Sequence, residues 1–173
     1  MNRRSALLLA CGAAASSLAM PTLAAPALRC AVEAPARVAA GHSVVLRFTL
    51  TNPGPAPLHV LKWNTPFEGS WLAPFIELKR DGRPVPYQGP MARRAEPKAE
   101  SYLRLEPQGS VSAEIELAPA FDVSVPGRYR VQPKLHIVDL HVAHAGPVER
   151  PRAEHQGVDV TCPAVQFEVL IPR

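Results

Sequence analysis

Proline sets the first limit on how this chain folds, because 20 of its 173 residues are proline and they are spread along the sequence. Proline lacks a backbone N–H and disrupts helix interiors, so any helix here is expected to be short. Between the prolines lie short runs rich in β-branched and other apolar residues, at spacings of roughly ten residues. Such runs, separated by turn signals, are typical of a β-sandwich.

Apolar side chains occupy every second position in residues 111–117, which predicts a strand with one buried face. The sequence predicts further strands at residues 43–51, 58–63, 75–79, 85–87, 101–105, 128–139 and 166–171. Asp81-Gly82 lies between two of these runs and predicts a tight hairpin. Residues 91–100 are polar and interrupted by proline, so we expect an irregular loop there. The predicted fold is all-β, an immunoglobulin-like sandwich of about seven to nine strands.

A second indication of this fold is the sequence Pro126-Gly-Arg-Tyr-Arg-Val131. A turn that leads into a strand with tyrosine at this position resembles the tyrosine corner of immunoglobulin-like domains. We therefore expect the Tyr129 hydroxyl to bond to backbone a few residues upstream.

The N-terminus predicts export. Residues 2–4 are basic at Arg3 and Arg4, residues 5–18 are small or apolar, and residues 22–24 fit a signal-peptidase site. We predict a signal peptide at 1–24 and a single domain at 25–173, in a periplasmic or secreted protein. The Sec route is favoured over Tat, because the residues after the arginine pair do not match the Tat signal. Lipidation at Cys11 is disfavoured, and no segment is long and apolar enough to predict a membrane span.

Charge argues against a nucleic-acid partner. Without residues 1–24 the chain has 17 basic and 15 acidic side chains. The basic pairs at residues 79–80 and 93–94 are followed by acidic residues, so we interpret them as a solvated surface.

Two cysteines remain after removal of the signal peptide, Cys30 and Cys162. An even pair in an oxidising compartment predicts a disulfide that joins the two ends of the domain. The alternatives are two separate buried thiols or, less favoured, a metal site, for which the cysteines lack the usual close spacing.

Histidines gather in residues 135–144, where His136, Asp139, His141 and His144 could bind zinc or copper. In a regular strand, however, His136 and His144 would face one side while Asp139 and His141 face the other. A metal site would need a turn or bulge near Asp139. Loop or solvent-facing histidines are the simpler interpretation, and we predict no cofactor.

Aromatic residues cluster in residues 62–71, which contain Trp63, Phe67 and Trp71. Tryptophan and phenylalanine supply large contact areas at interfaces, so these three residues are a candidate partner-binding surface. The alternative is that Trp63 lies in the core and the following loop packs on the edge of the sandwich.

Three stretches together resemble a known family: Val60-Leu-Lys-Trp-Asn-Thr-Pro-Phe-Glu-Gly69, residues 78–90 and residues 126–131. They resemble the N-terminal β-domain that precedes the zinc peptidase domain of bacterial deuterolysin-like (peptidyl-lysine) metalloendopeptidases. The resemblance covers roughly residues 31–138, and it implies a structural or docking role for the aromatic segment. The sequence has no His-Glu-x-x-His and ends at Arg173, so we expect the accessory domain alone, without the catalytic domain.

These observations predict an exported, non-enzymatic module that binds a protein partner. By resemblance, that partner could be a deuterolysin-like metallopeptidase, which the module would inhibit, chaperone or position. The sequence contains neither a Gly-x-Ser-x-Gly elbow nor a glycine-rich phosphate loop, so it does not suggest another class of enzyme. Two alternatives stay open: a structural envelope protein, or a periplasmic metal-binding protein that uses the His136–His144 cluster.

Overall fold

The computed structural model describes residues 28–144 and 146–171. The predicted signal peptide and its cleavage site lie outside these residues. The described part of the chain contains thirteen β-strands and three single-turn 3₁₀ helices. The fold class is therefore all-β, as predicted. Within residues 28–144 and 146–171, no helix has the length and apolar character needed to cross a membrane.

The strands run in chain order as follows: β1 Arg29–Glu33, β2 Arg37–Ala39, β3 Val45–Thr51, β4 Leu58–Leu61, β5 Ile76–Arg80, β6 Arg83–Val85, β7 Tyr102–Leu105, β8 Ser110–Glu116, β9 Gly127–Pro133, β10 Leu135–Ile137, β11 Leu140–Val142, β12 Val158–Val160 and β13 Val165–Leu170. The 3₁₀ turns are Pro66–Glu68, Ala99–Ser101 and Arg152–Glu154. There are more strands than the seven to nine expected. The additional ones, such as β2, β11 and β12, are three residues long, too short for alternation to reveal them.

The strands of residues 28–144 and 146–171 form four sheets, with strand orders β1-β3-β8, β11-β4-β7, β10-β12 and β2-β13-β9-β5-β6. Neighbouring strands are antiparallel except β2, which runs parallel to β13. The predicted hairpin joins β5 to β6, and Asp81 and Gly82 take the left-handed conformations that its turn requires, with φ of 48° and 81°.

One continuous core joins the three-stranded sheet β1-β3-β8 to the five-stranded sheet. From β3, Leu46, Phe48 and Leu50 are fully buried, and they belong to the same apolar cluster as Leu78 of β5 and Val131 of β9. Side chains that alternate inward along both sheets thus fill the space between two layers, which makes the fold a sandwich.

The tyrosine corner is confirmed. The Tyr129 hydroxyl donates to the carbonyl oxygen of Val125 at 2.6 Å, and the ring stacks on Phe167 with centroids 4.9 Å apart. The turn before β9 is therefore tied to the strand that follows it, and the tyrosine ring fills the core.

The disulfide is also present. Cys30 in β1 and Cys162, just before β13, are joined with their Cα atoms 4.9 Å apart. The bond connects β1 to the segment that leads into β13 and closes a loop with a sequence separation of 132 residues. In the chain-entropy treatment, a loop of that length contributes on the order of 5 kcal/mol to stability.

Candidate functional site

Trp71 was predicted to be part of a partner-binding surface, which requires an exposed side chain, but the structure places it in the core. Trp71 is only 3% exposed, and its ring stacks on Phe75 with centroids 4.2 Å apart and planes 4° from parallel. Its indole N–H donates to the backbone oxygen of Glu116 at 2.6 Å. Trp71 therefore belongs to the core and bonds to the last residue of β8. Its side chain is not available to bind a partner.

Trp63 lies in a second, smaller apolar cluster with Leu61 and Tyr102. The Arg94 guanidinium lies 5.4 Å from the centroid of its ring, a cation–π distance. Arg94 also donates to both carboxylate oxygens of Glu68, at 2.6 and 2.7 Å. Trp63 was predicted as a partner-binding residue, but it is buried, as the alternative interpretation held, and the loop that contains Arg94 covers it.

Phe67 is half-buried and packs against the main core from the 3₁₀ turn Pro66–Glu68. Thr65 fixes this turn, because its hydroxyl accepts from the Phe67 backbone N–H at 3.2 Å. The structure therefore places Trp63, Phe67 and Trp71 against apolar clusters and leaves only part of the Phe67 ring exposed. The aromatic contact surface predicted from the sequence is not formed by these three residues as a group.

The predicted histidine cluster is divided between two sheets. His136 in β10 is exposed and bonds to Asp159 of β12, with 2.7 Å between Nδ1 and Oδ1. His141 in β11 points instead to the strand beside it, and His144 is exposed just beyond β11. The chain between β10 and β11 therefore separates His136 from the other residues that the metal-binding hypothesis requires to be together.

Asp139 is the most buried polar residue of the cluster, with no exposed surface. One carboxylate oxygen accepts from the Tyr102 hydroxyl at 3.0 Å, and the other accepts from the Gln156 backbone N–H at 2.9 Å and from Arg150 at 3.4 Å. Burial, followed by the bond to Asp139, raises the pKa of Tyr102 to about 12. Asp139 thus anchors the loop after β11 over the sheet β11-β4-β7, which is a structural use of a buried carboxylate.

Sequence analysis did not identify His59, which is buried in β4 directly opposite His141 of β11. The two rings approach to 3.3 Å between Nδ1 of His59 and Nε2 of His141. The only signal for His59 was a histidine within an otherwise apolar strand, and its partner lies 82 residues away. Local patterning gives no indication of such a distant neighbour.

Burial lowers the pKa of both histidines. For His59, the His141 and Arg104 side chains lower the pKa further. For His141, Asp139 acts in the opposite direction and raises the pKa. Its Nδ1 lies 3.3 Å from Asp139 Oδ2 without the alignment of a hydrogen bond, so this nitrogen is buried with no hydrogen-bond partner among the described residues. Burial therefore favours the neutral form of both imidazoles.

A cavity of about 320 Å³ opens above this pair, lined by His59, His141, His144 and Arg150 among others. Nevertheless, residues 28–144 and 146–171 contain no group of three or more histidine, cysteine or acidic side chains arranged to hold a metal ion. The arrangement therefore gives no support to the metal-binding alternative.

Comparison with known proteins gives one relative in sequence. The chain is 37% identical over 89 residues to the "Extracellular protease" of Aeromonas hydrophila, a match that covers 51% of this chain and 25% of that protein. The match thus spans about a quarter of the length of the curated relative. No protein-family model matches the chain.

The chain also aligns with two solved structures. One is the CARDB domain of a Pyrococcus furiosus protein in complex with di-metal ions, 12% identical, with a TM-score of 0.32 and coverage of 85% of this chain and 89% of that one. The other is the solution structure of the same domain, 11% identical, with a TM-score of 0.30 and coverage of 84% and 94%.

Proposed function

We propose that this chain is an exported, non-catalytic β-sandwich module that binds an extracellular peptidase of the deuterolysin-like metallopeptidase class. The observation that supports this most directly is the 37% identity over half the chain to an extracellular protease. The zinc-binding sequence His-Glu-x-x-His, which supplies two ligands and the general base of many metallopeptidases, does not occur in the chain.

The structure is consistent with a binding role. At the buried site beside the sheet β11-β4-β7, Asp139 accepts a hydrogen bond from the loop that covers it, and His59 and His141 contact each other. The disulfide between β1 and the segment before β13 fits a protein exported to an oxidising compartment. Within this proposal the module inhibits, chaperones or positions the peptidase, and the three roles differ in their effect on peptidase activity.

The test is retention of a peptidase. The chain, expressed with export and immobilised, is incubated with culture supernatant of the producing organism, and the eluate is assayed for casein hydrolysis with and without a chelator. We expect the eluate to contain chelator-sensitive activity that an unrelated immunoglobulin-like domain of similar charge does not retain. Equal retention by both domains, or none by either, would contradict the proposal.

Adding the free chain to the retained peptidase then separates the possible roles. A fall in activity with increasing chain concentration indicates an inhibitor. A higher yield of active peptidase when it is refolded in the presence of the chain indicates a chaperone, and unchanged activity in a stable complex indicates positioning.

A further inference from the structure

The outer face of the five-stranded sheet is strongly basic, although the sequence shows only scattered charges. Strand register sets this face, because residues directly opposite each other in neighbouring strands point to the same side. Lys79 of β5 lies opposite Arg130 of β9, and Arg130 lies opposite Gln166 of β13. All three side chains are exposed.

The next row continues the same pattern. Arg128 of β9 lies opposite Glu168 of β13, which in turn lies opposite Arg37 of β2. Lys134 follows directly after β9 and pairs with Glu77 of β5 at 3.5 Å. The face defined by Arg37, Glu77, Lys79, Arg128, Arg130, Lys134 and Glu168 therefore has five basic and two acidic side chains, and we call it the basic face.

The two acidic residues already have partners. Glu168 pairs with Arg37 at 3.5 Å and Glu77 with Lys134. Lys79, Arg128 and Arg130 make no ion pair within residues 28–144 and 146–171. The nearby carboxylate of Asp81 accepts from the backbone N–H of Arg128 at 3.0 Å. Three adjacent cations thus remain available to an external anion.

Like charges directly opposite each other in a sheet are destabilising. The opposition of Lys79 and Arg130 therefore has no benefit for the folded chain by itself, whereas it concentrates positive charge where a partner could neutralise it. Opposite charge on a partner speeds encounter and fixes its orientation.

We propose that the basic face is the surface through which this chain binds its protein partner, and that the partner presents a mainly acidic patch there. This inference rests on the proposed function and adds the location and the charge of the contact. A protein surface of mixed charge fits better than a lipid or nucleic-acid surface. A protein can place acidic groups opposite Lys79, Arg128 and Arg130 alone, whereas the evenly spaced phosphates of those surfaces would also lie against the pairs Arg37–Glu168 and Lys134–Glu77, which are already neutralised. The residues that define the face also include no aromatic side chain on which a base could stack.

Two variants with the same change in charge test the proposal. Lys79→Glu reverses a charge on the basic face, and Arg93→Glu reverses one at an exposed position in the loop between β6 and β7. The probe is the peptidase purified from the wild-type eluate, and its Kd for each chain is measured by biolayer interferometry from about 50 to about 500 mM NaCl.

We expect Lys79→Glu to raise Kd by about tenfold or more and Arg93→Glu to leave it within about twofold. Increasing salt should weaken the wild-type complex and have less effect on what binding remains in Lys79→Glu. Because glutamate would lie opposite Arg130, the thermal midpoint of Lys79→Glu should be equal to or above that of the wild type, which excludes unfolding as the cause of weaker binding.

If the wild type, Lys79→Glu and Arg93→Glu bind the peptidase with equal Kd values, the basic face is not the binding surface, although the proposed function still stands. If the wild-type chain binds no peptidase, the proposed function itself fails. The same three chains are also titrated with phosphatidylglycerol vesicles and with duplex DNA. If the wild-type chain binds vesicles or DNA more tightly than it binds the peptidase, and Lys79→Glu weakens that binding to the same extent, the proposal that the partner is a protein is wrong.

Discussion

The outer faces of the two facing sheets differ in how their side chains meet across strands. On β3 and β8 polar side chains that lie opposite each other are bonded: Arg47 pairs with Glu114 at 2.5 Å, and Thr49 bonds to Ser112 at 2.8 Å. On β5 and β9 the corresponding row sets Lys79 against Arg130. The polar side chains of the first face bond to each other, whereas the second face has an excess of positive charge. Folding alone explains the first pattern, and the partner proposed above would explain the second.

Loss of the disulfide should have the largest effect, because it ties β1 of the matched sheet to the segment before β13 of the basic sheet. The double variant Cys30→Ser/Cys162→Ser should lose about 5 kcal/mol of unfolding free energy, as measured by urea denaturation. A reducing agent should destabilise the wild type and leave the double variant unchanged. Two cysteines that alkylate in the native, unreduced protein would show that the bond is not formed.

Trp71→Ala should follow in size, at about 3–5 kcal/mol, because it removes a core ring and the indole N–H donated to Glu116 at the end of β8. This substitution would destabilise the sheet β1-β3-β8 from its core side. Phe67→Ala is the matched control, since Phe67 lies in the same segment but is half-buried. Its loss should be less than half as large. Equal losses at the two positions would contradict the different burial of the two rings.

Acidification should lower stability through the histidine pair, which belongs to neither of the two compared faces. The pKa values of His59 and His141 are lowered in the folded chain, first by burial. In the unfolded chain they return towards about 6.5, so the unfolded state binds more protons as pH falls below that value. The stabilising contribution is therefore complete above about pH 6.5 and declines as pH falls towards the lowered folded values.

Thermal midpoints between about pH 7 and pH 5 check this dependence. Replacing both residues, His59→Gln/His141→Gln, should flatten the decline, while replacement of the exposed His42 by glutamine should leave it unchanged. A decline that persists unaltered in the double variant would assign it to other groups.

Alternation and turn chemistry predicted much of the fold. The strand at residues 111–117, the Asp81-Gly82 turn and the Tyr129 hydroxyl bond are all local features, and each is present close to its expected position. The disulfide followed from the count of cysteines. Interactions between residues within about ten positions of each other can be predicted from a sequence of this kind.

The candidate sites were less predictable because they depend on long-range neighbours. Trp71 was assigned to a partner-binding surface, yet its indole N–H donates to the backbone of Glu116, 45 residues away. The basic face depends on Lys79 and Arg130 being in register, 51 positions apart. Alternation shows which side of a strand a residue occupies, but it does not show which strand lies beside it.

Charge reversal on the two faces should have the smallest effect on stability and the most informative sign. Arg47→Glu places glutamate opposite Glu114 and should lose about 0.5 kcal/mol, whereas Lys79→Glu creates an opposite-charge pair with Arg130 and should gain about 0.5 kcal/mol. Urea midpoints at low salt measure both changes, and high salt should reduce both because the groups are exposed. If both reversals change stability in the same direction, cross-strand register does not distinguish the two faces, and the excess charge on β5 and β9 loses its significance as a mark of a partner. Opposite signs would show that the chain forgoes stability on one face that it gains on the other, as expected of a surface reserved for binding.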